Sequence, residues 1–272
     1  MISATTYDEL RQIAARYPQA RSGLLPMLHL VQSAEGRITP EGIEACAEIL
    51  DISAAEVSGV ATFYTMYKRR PVGDYHVGVC TNTLCAVMGG DEIFARLKDH
   101  LEIGNDETTP ADGDNKTITL EHIECNAACD YAPVLTVNWE FMDNQTPDSA
   151  VQLVDDLRSG AEVHSTRGPK LCTWREAERV LAGFNDGLAD EGPSAGPASL
   201  VGLNIARERG WTAPGMEAKG TAATAIDTKQ EAVEAADLSR AESESALEDA
   251  GVNLKHEDNP ANDGPADEKG GK

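Results

Sequence analysis

The chain has 272 residues, enough for one large or two small cores, and its 46 acidic against 23 basic side chains give a formal charge of −23. That charge argues against nucleic acid and anionic membrane surfaces, which would repel it. No apolar run approaches the roughly 18 residues a membrane span needs. The opening Met1–Glu9 lacks the basic-then-apolar layout of a secretory leader. The expectation is therefore a soluble, cytosolic chain without membrane insertion, a setting in which paired cysteines serve metals or catalysis more often than disulfides.

Residues 1–72 read as a helical bundle. Thr6-x-x-Glu9 is a capping box ahead of Tyr7, Leu10, Ile13, Ala14 and Tyr17 at helical spacing. A second helix carries Leu24, Leu25, Leu28 and Val31 and fades at Gly36. Thr39-Pro40 caps a third, which buries Ile43, Cys46, Ala47 and Leu50. Ser53-x-x-Glu56 opens a fourth through Val57, Val60, Phe63, Tyr64 and Tyr67, with Lys68, Arg69 and Arg70 at its C-terminal end, where the helix dipole favours cations.

Residues 73–160 change period. Tyr75–Cys80 reads as a strand and Met88–Leu101 as a helix. Residues 102–116 read as a surface loop, Thr117–Ile123 and Val134–Val137 as strands, and Glu140–Met142 as a short fourth strand. Thr146-Pro147 caps a last helix ending at Gly160. The order β-α-β, then β, β and α, implies a parallel crossover with an antiparallel hairpin, so the fold class is α+β. Residues 161–186 read as a short helical extension capped by Thr173-x-x-Glu176. Residues 187–272 read as a largely disordered acidic tail, since positions 221–272 hold 13 acids, 5 bases and no aromatic residue. Within that tail, residues 200–211 carry Leu200, Val201, Leu203, Ile205 and Trp211 and read either as a docking segment or as a chance cluster.

Four of the six cysteines form two close pairs, Cys80-x4-Cys85 and Cys125-x3-Cys129, separated by 39 residues, each after a short apolar run. Strands ending side by side would bring the pairs together as a four-sulfur site. Thiolates suit iron–sulfur clusters and zinc alike. Structural zinc usually shows C-x2-C knuckles, and a redox dithiol wants C-x-x-C at a helix start. Gaps of four and three residues favour ligands spread over two irons, with zinc and free or disulfide-bonded thiols left as alternatives. Small residues Asn126, Ala127 and Ala128 would let backbone N–H groups approach sulfur. Gly89 and Gly90 open a helix whose dipole would favour a negative cluster, while Glu124 and Asp130 would hold its potential low.

These two pairs, with Val60-Ala-Thr-Phe-Tyr-Thr-Met66 and Glu124-Cys-Asn-Ala-Ala-Cys-Asp-Tyr-Ala-Pro-Val134, resemble the family of small 2Fe–2S ferredoxin subunits of bacterial NADH-quinone oxidoreductase, respiratory complex I, over about residues 5–160. The resemblance implies a helical bundle followed by a thioredoxin-like 2Fe–2S ferredoxin domain. It implies one 2Fe–2S cluster on Cys80, Cys85, Cys125 and Cys129, and a cis proline at Pro133. It further implies a partner subunit that binds FMN and NADH, other peripheral-arm subunits, and a place on the cytoplasmic face of the inner membrane. No G-x-G-x-x-G follows a strand and no P-loop is present, so the chain is expected to be a non-catalytic part of the enzyme that exchanges single electrons with the partner's FMN. In the family the cluster lies across the flavin from the main iron–sulfur chain, which implies an electron-reservoir or flavin-tuning role as much as transit. Equivalent subunits of soluble NAD-linked formate dehydrogenases or hydrogenases, and a scaffold for the flavin subunit, are the alternatives. A free-standing thioredoxin-type reductase is disfavoured by the missing C-x-x-C.

Of the remaining residues, Cys46 reads as a buried inert thiol and Cys172 as a free or packed one. His76 and His122 read as solvent-facing strand residues. Phe63, Tyr64 and Tyr67 read as core between bundle and ferredoxin domain. Arg167, Lys170 and Arg175 read as a basic patch, open to a partner or simply solvated.

Overall fold

The computed structural model describes residues 2–168, 170–187 and 195–212. Among the described residues, those up to Val201 belong to one compact unit and those from Gly202 to a second. The tail assigned to disorder lies, from residue 213 onward, outside the described residues.

The first unit opens with four helices: α1 (Ala4–Ala15), α2 (Leu24–Glu35), α3 (Pro40–Leu50) and α4 (Ala54–Phe63). Their apolar stripes converge on one core containing Leu10 and Ile13, Leu28 and Val31, Cys46 and Leu50, and Val57 and Ala61. Each large aliphatic side chain so buried contributes about 1.5–3 kcal/mol. Burial pushes the Cys46 thiol up to about 12, so it is an inert core residue. Thr39 caps α3 by accepting a hydrogen bond from Gly42 N at 3.1 Å. Thr39→Ala is expected to cost about 1 kcal/mol and to lower Tm in calorimetry by about 2–4 °C; an unchanged Tm would show that the cap is redundant.

The sequence placed three features of this half differently. The cap of α1 is Ser3, whose hydroxyl accepts from Thr6 N, and Thr6 sits buried inside the helix. Helix α4 stops at Phe63, because Tyr64 turns to extended backbone. Phe63 is consequently 77% exposed rather than core, and Tyr64 is half-exposed, whereas Tyr67 is buried and donates its hydroxyl to Leu25 O at 3.0 Å.

The sheet has five strands: β1 (Tyr75–Cys80), β2 (Glu107–Thr108), β3 (Ile118–Ile123), β4 (Leu135–Val137) and β5 (Glu140–Met142), in the order β2-β3-β1-β4-β5. β1 and β3 run parallel and the other neighbours antiparallel. Tyr75, Val77 and Val79 face the helices α6 (Gly90–Leu101) and α7 (Pro147–Ser159), packing with Ile93, Leu97, Val154 and Leu157. The helix expected over Met88–Leu101 is α6, which starts at Gly90; an additional one-turn α5 (Thr83–Val87) precedes it, and Gly89 at φ +111° separates the two. The expected loop at 102–116 contains β2.

Strand β1 is buried along its whole length, so its second face is covered too. That corrects His76, which is fully buried with its ring 5.2 Å from Trp139 and 5.4 Å from Trp174. Its Nε2 lies 2.7 Å from Glu121 Oε2, which also receives Lys68 Nζ. Burial lowers the His76 pKa, and the neutral ring donates through Nε2.

Helix α8 (Trp174–Leu181) packs on α2. It delivers fully buried Glu178, which lies 2.6 Å from His29 Nδ1 and accepts from Gln32 Nε2 at 2.7 Å and Trp139 Nε1 at 3.1 Å. The basic patch does not exist as such. Arg167 pairs with Asp143, Lys170 with Glu162, and Arg175 donates to Ala34 O at 3.1 Å. A last helix, α9, spans Pro197–Glu208; in the second unit its residues Leu203 and Ile205 are exposed, and Arg209 lies over the ring of Trp211.

Candidate metal centre

The register of the parallel pair builds the site. Cys80 closes β1 directly opposite Ile123, the last residue of β3, so the segments carrying both cysteine pairs leave the sheet at the same end. Cys80 N donates to Val134 O at 3.2 Å, tying the first pair to the chain just past the second. Between Cys129 and Val134 the chain makes a 3₁₀ turn, Cys129–Tyr131, and a cis Ala132–Pro133 bond.

The two pairs differ in environment. Cys80 and Cys85 are each 2% exposed, in a small apolar cluster with Ala128, Ala132 and Val134. Cys125 and Cys129 are exposed, with their Sγ atoms 3.7 Å apart. That separation is the edge of a sulfur tetrahedron around a metal with bonds of about 2.3 Å. Among the described residues, no three His, Cys, Asp or Glu side chains gather closely enough to hold one metal ion. The donor set is two thiol pairs presented at one end of the sheet, the number and type of ligands that a 2Fe–2S cluster takes.

Local contacts shape the sulfurs. Ala127 N donates to Cys125 Sγ at 3.4 Å, from a residue held at φ +57°, so the short Asn126-Ala-Ala link does present its backbone to sulfur. Asn82 Nδ2 donates to Ile123 O at 2.8 Å and lies 3.6 Å from Cys80 Sγ, bracing the end of β3 against the first pair. Burial pushes the Cys85 thiol up to about 11, against a lowering contact from the Val134 backbone. The hydrogen bond with Cys125 raises Cys129. Raised in this way, the Cys85 and Cys129 thiols favour their protonated forms, and metal binding there would have to release those protons.

Two residues of the site escaped the sequence. Asn82 reads as an ordinary turn residue until β3 is placed beside it. Gly90 was read only as a helix opener. A Cβ there would stand 2.5 Å from Cys80 O and 2.9 Å from Cys85 O, so the first pair closes around a residue that must lack a side chain. The Gly-Gly dipeptide was the available signal. His122 is exposed, as expected, while His76 faces away from solvent and pairs with Glu121. Cys172 is half-buried, its thiol pushed up to about 11 mainly by burial, and belongs to no pair.

Residues 10–158 match the family described as thioredoxin-like 2Fe-2S ferredoxin. The chain is 58% identical over 207 residues to the NADH-quinone oxidoreductase subunit lettered E of Mycobacterium tuberculosis, covering 76% of this chain and 81% of that one. It is 36% identical over 168 residues to NADH-quinone oxidoreductase subunit 2 of Thermus thermophilus, covering 61% and 91%. With a second subunit lettered E, from the NADH-quinone oxidoreductase of Rhizobium meliloti, it shares 34% identity over 161 residues, covering 59% and 94%.

Proposed function

The chain belongs to the thioredoxin-like 2Fe-2S ferredoxin family, and from that premise we propose that Cys80, Cys85, Cys125 and Cys129 together hold its one 2Fe–2S cluster. We further infer that it serves the NADH-oxidising module of NADH-quinone oxidoreductase, exchanging single electrons with FMN in a flavin- and NADH-binding partner subunit on the cytoplasmic face of the membrane. No helix among the described residues is long and apolar enough to cross a membrane, so attachment there would run through other subunits.

The observation that carries the reading is the pairing of Cys80 with Ile123 at the shared end of β1 and β3, which brings two thiol pairs separated by 39 residues in sequence to one end of the sheet. When bound, the cluster supplies reversible one-electron chemistry, with a potential set by hydrogen bonds to sulfur, charge and exposure. The chain's residues set each of these. Ala128, Ala132 and Val134 keep water from Cys80 and Cys85. The Ala127 N–H stabilises negative charge at Cys125. The exposed pair leaves a short approach for a partner, and Leu84, Val87 and Met88 are apolar side chains exposed on and after α5, the helix that carries Cys85.

The test is EPR with iron and sulfide analysis on anaerobically purified full-length protein. The expected result is a silent oxidised state, an S = ½ signal after dithionite, and about two irons and two sulfides per chain. Cys125→Ser and Cys129→Ser should each abolish or reshape the signal; an unchanged spectrum in either would remove that residue from the ligand set. Co-purification of an FMN-containing subunit that oxidises NADH is expected. Recovery instead with formate dehydrogenase or hydrogenase subunits would reassign the module.

A further inference from the structure

The family match ends at residue 158, yet residues beyond it return to the turn that carries Cys129. Arg167 Nε donates to the two Asp143 carboxylate oxygens at 3.1 and 2.8 Å, and its Nη2 donates to Asp143 Oδ1 at 2.9 Å. The same guanidinium lies 4.9 Å from the ring centre of Tyr131 and 4.8 Å from that of Phe141. Its Nη2 stands 3.7 Å from Asp130 Oδ1. Asp130 and Tyr131 are the two residues that follow Cys129. Farther along, Ala198 N donates to Tyr131 Oη at 3.0 Å and the Ser199 hydroxyl donates to Asp130. The backbone completes the frame: Asn144 N donates to Tyr131 O at 2.9 Å, and Thr166 N to Phe141 O at 3.1 Å.

A planar, permanently charged fork that pairs bidentately and stacks on two rings fixes orientation in a way an ammonium cannot. Its side chain is 16% exposed, so its charge is less screened than a surface one. We propose that Arg167 is a positioning residue for the cluster: it clamps the Cys129–Tyr131 turn and sets a positive charge against Asp130, so that the exposed half of the site keeps both its geometry and its potential. The inference rests on the reading of Cys129 as a ligand.

Full-length protein carrying Arg167→Met or Arg167→Lys, purified anaerobically, tests it by two readouts: the midpoint in an EPR-monitored redox titration and the rate of iron loss to a chelator. Arg167→Met should lower the midpoint, because a cation beside the cluster favours its reduced, more negative form, and should speed iron loss several-fold. Arg167→Lys should restore the midpoint while iron loss stays fast, since charge returns without the fork or the stacking. A wild-type midpoint in Arg167→Met, or a midpoint in Arg167→Lys as low as in Arg167→Met, overturns the proposal. If Arg167→Met does not accumulate, Arg167→Lys decides alone, and wild-type iron retention in it is then the overturning result. Cys129→Ser run in parallel separates the two failures: an unchanged spectrum there removes the ligand reading, whereas an altered one beside inert Arg167 variants removes only the clamp.

Discussion

Gly90→Ala is expected to fold and yet retain less than about a tenth of the wild-type iron. The added methyl would meet two carbonyl oxygens, those of Cys80 and Cys85, at 2.5 and 2.9 Å. Both belong to the backbone that presents the first thiol pair, and neither is the loose end of a side chain. Overpacking of this kind costs about 1–3 kcal/mol, well within the stability of a domain of this size. Relieving the clash moves α5 or the start of α6 relative to the end of β1, and so disturbs the backbone that presents Cys80 and Cys85. Iron per chain and EPR amplitude read the loss, and far-ultraviolet circular dichroism shows whether the fold persists. Gly89→Ala is the control, since that residue sits at φ +111° with nothing within 4 Å of a Cβ. It should lose stability from backbone strain and keep its iron. Wild-type iron in Gly90→Ala would mean that α5 can shift without disturbing the site.

Lys68→Met should destabilise the protein by about 3–5 kcal/mol at neutral pH, the usual effect of stripping one partner from a buried ion pair. Lys68 is 7% exposed and reaches from the chain after α4 to Glu121 on β3. Burial alone would raise the Glu121 pKa, but hydrogen bonds from His76 and Lys68 outweigh it and hold the carboxyl down to about 2, against an ordinary 4.5. A carboxylate depressed in the folded state contributes stability that is complete above its unfolded value and is lost as pH falls through its folded value. The gap between wild type and Lys68→Met should therefore be widest above pH 4.5 and close towards pH 2. Urea unfolding across that range measures it. A gap independent of pH would show that Lys68 acts through its hydrocarbon stem and not its charge.

The elements legible in the sequence were those whose signals are local. Ser53 with Glu56 and Thr173 with Glu176 form the capping boxes their spacing announced, and Thr146-Pro147 opens α7 where expected. The grouping of four cysteines into two close pairs was legible because spacing is itself a local pattern. What the sequence hid depends on partners far along the chain. Lys68 looked like a helix-terminal cation because Glu121, 53 residues on, could not be placed beside it. His76 looked solvent-facing because the rings of Trp139 and Trp174 that cover it arrive from two later segments. Arg167 looked like part of a basic patch because its acceptor, Asp143, sits before α7 and the arginine after it. Alternation along a strand names two faces, but only the remaining layers decide whether the second face is wet.

The seating of Glu178 on α2 has a consequence for the order in which the protein can be made. A ribosome releases the four N-terminal helices first, with His29 and Gln32 on a face that still lacks the Glu178 carboxylate, although Gln32 Nε2 can already donate to Met66 O at 3.2 Å. The carboxylate that meets Gln32 lies 146 positions later, which at about 5–20 residues per second is a wait of roughly 7–30 s. Until then His29 lacks its carboxylate partner, and closing the bundle over it carries a cost that α8 later removes. By the time α8 emerges, both cysteine pairs have left the ribosome. The polypeptide thus gains the last contact of its first-made part only after both cysteine pairs are available, and a chain cut short before α8 is expected to expose α2 to faster proteolysis.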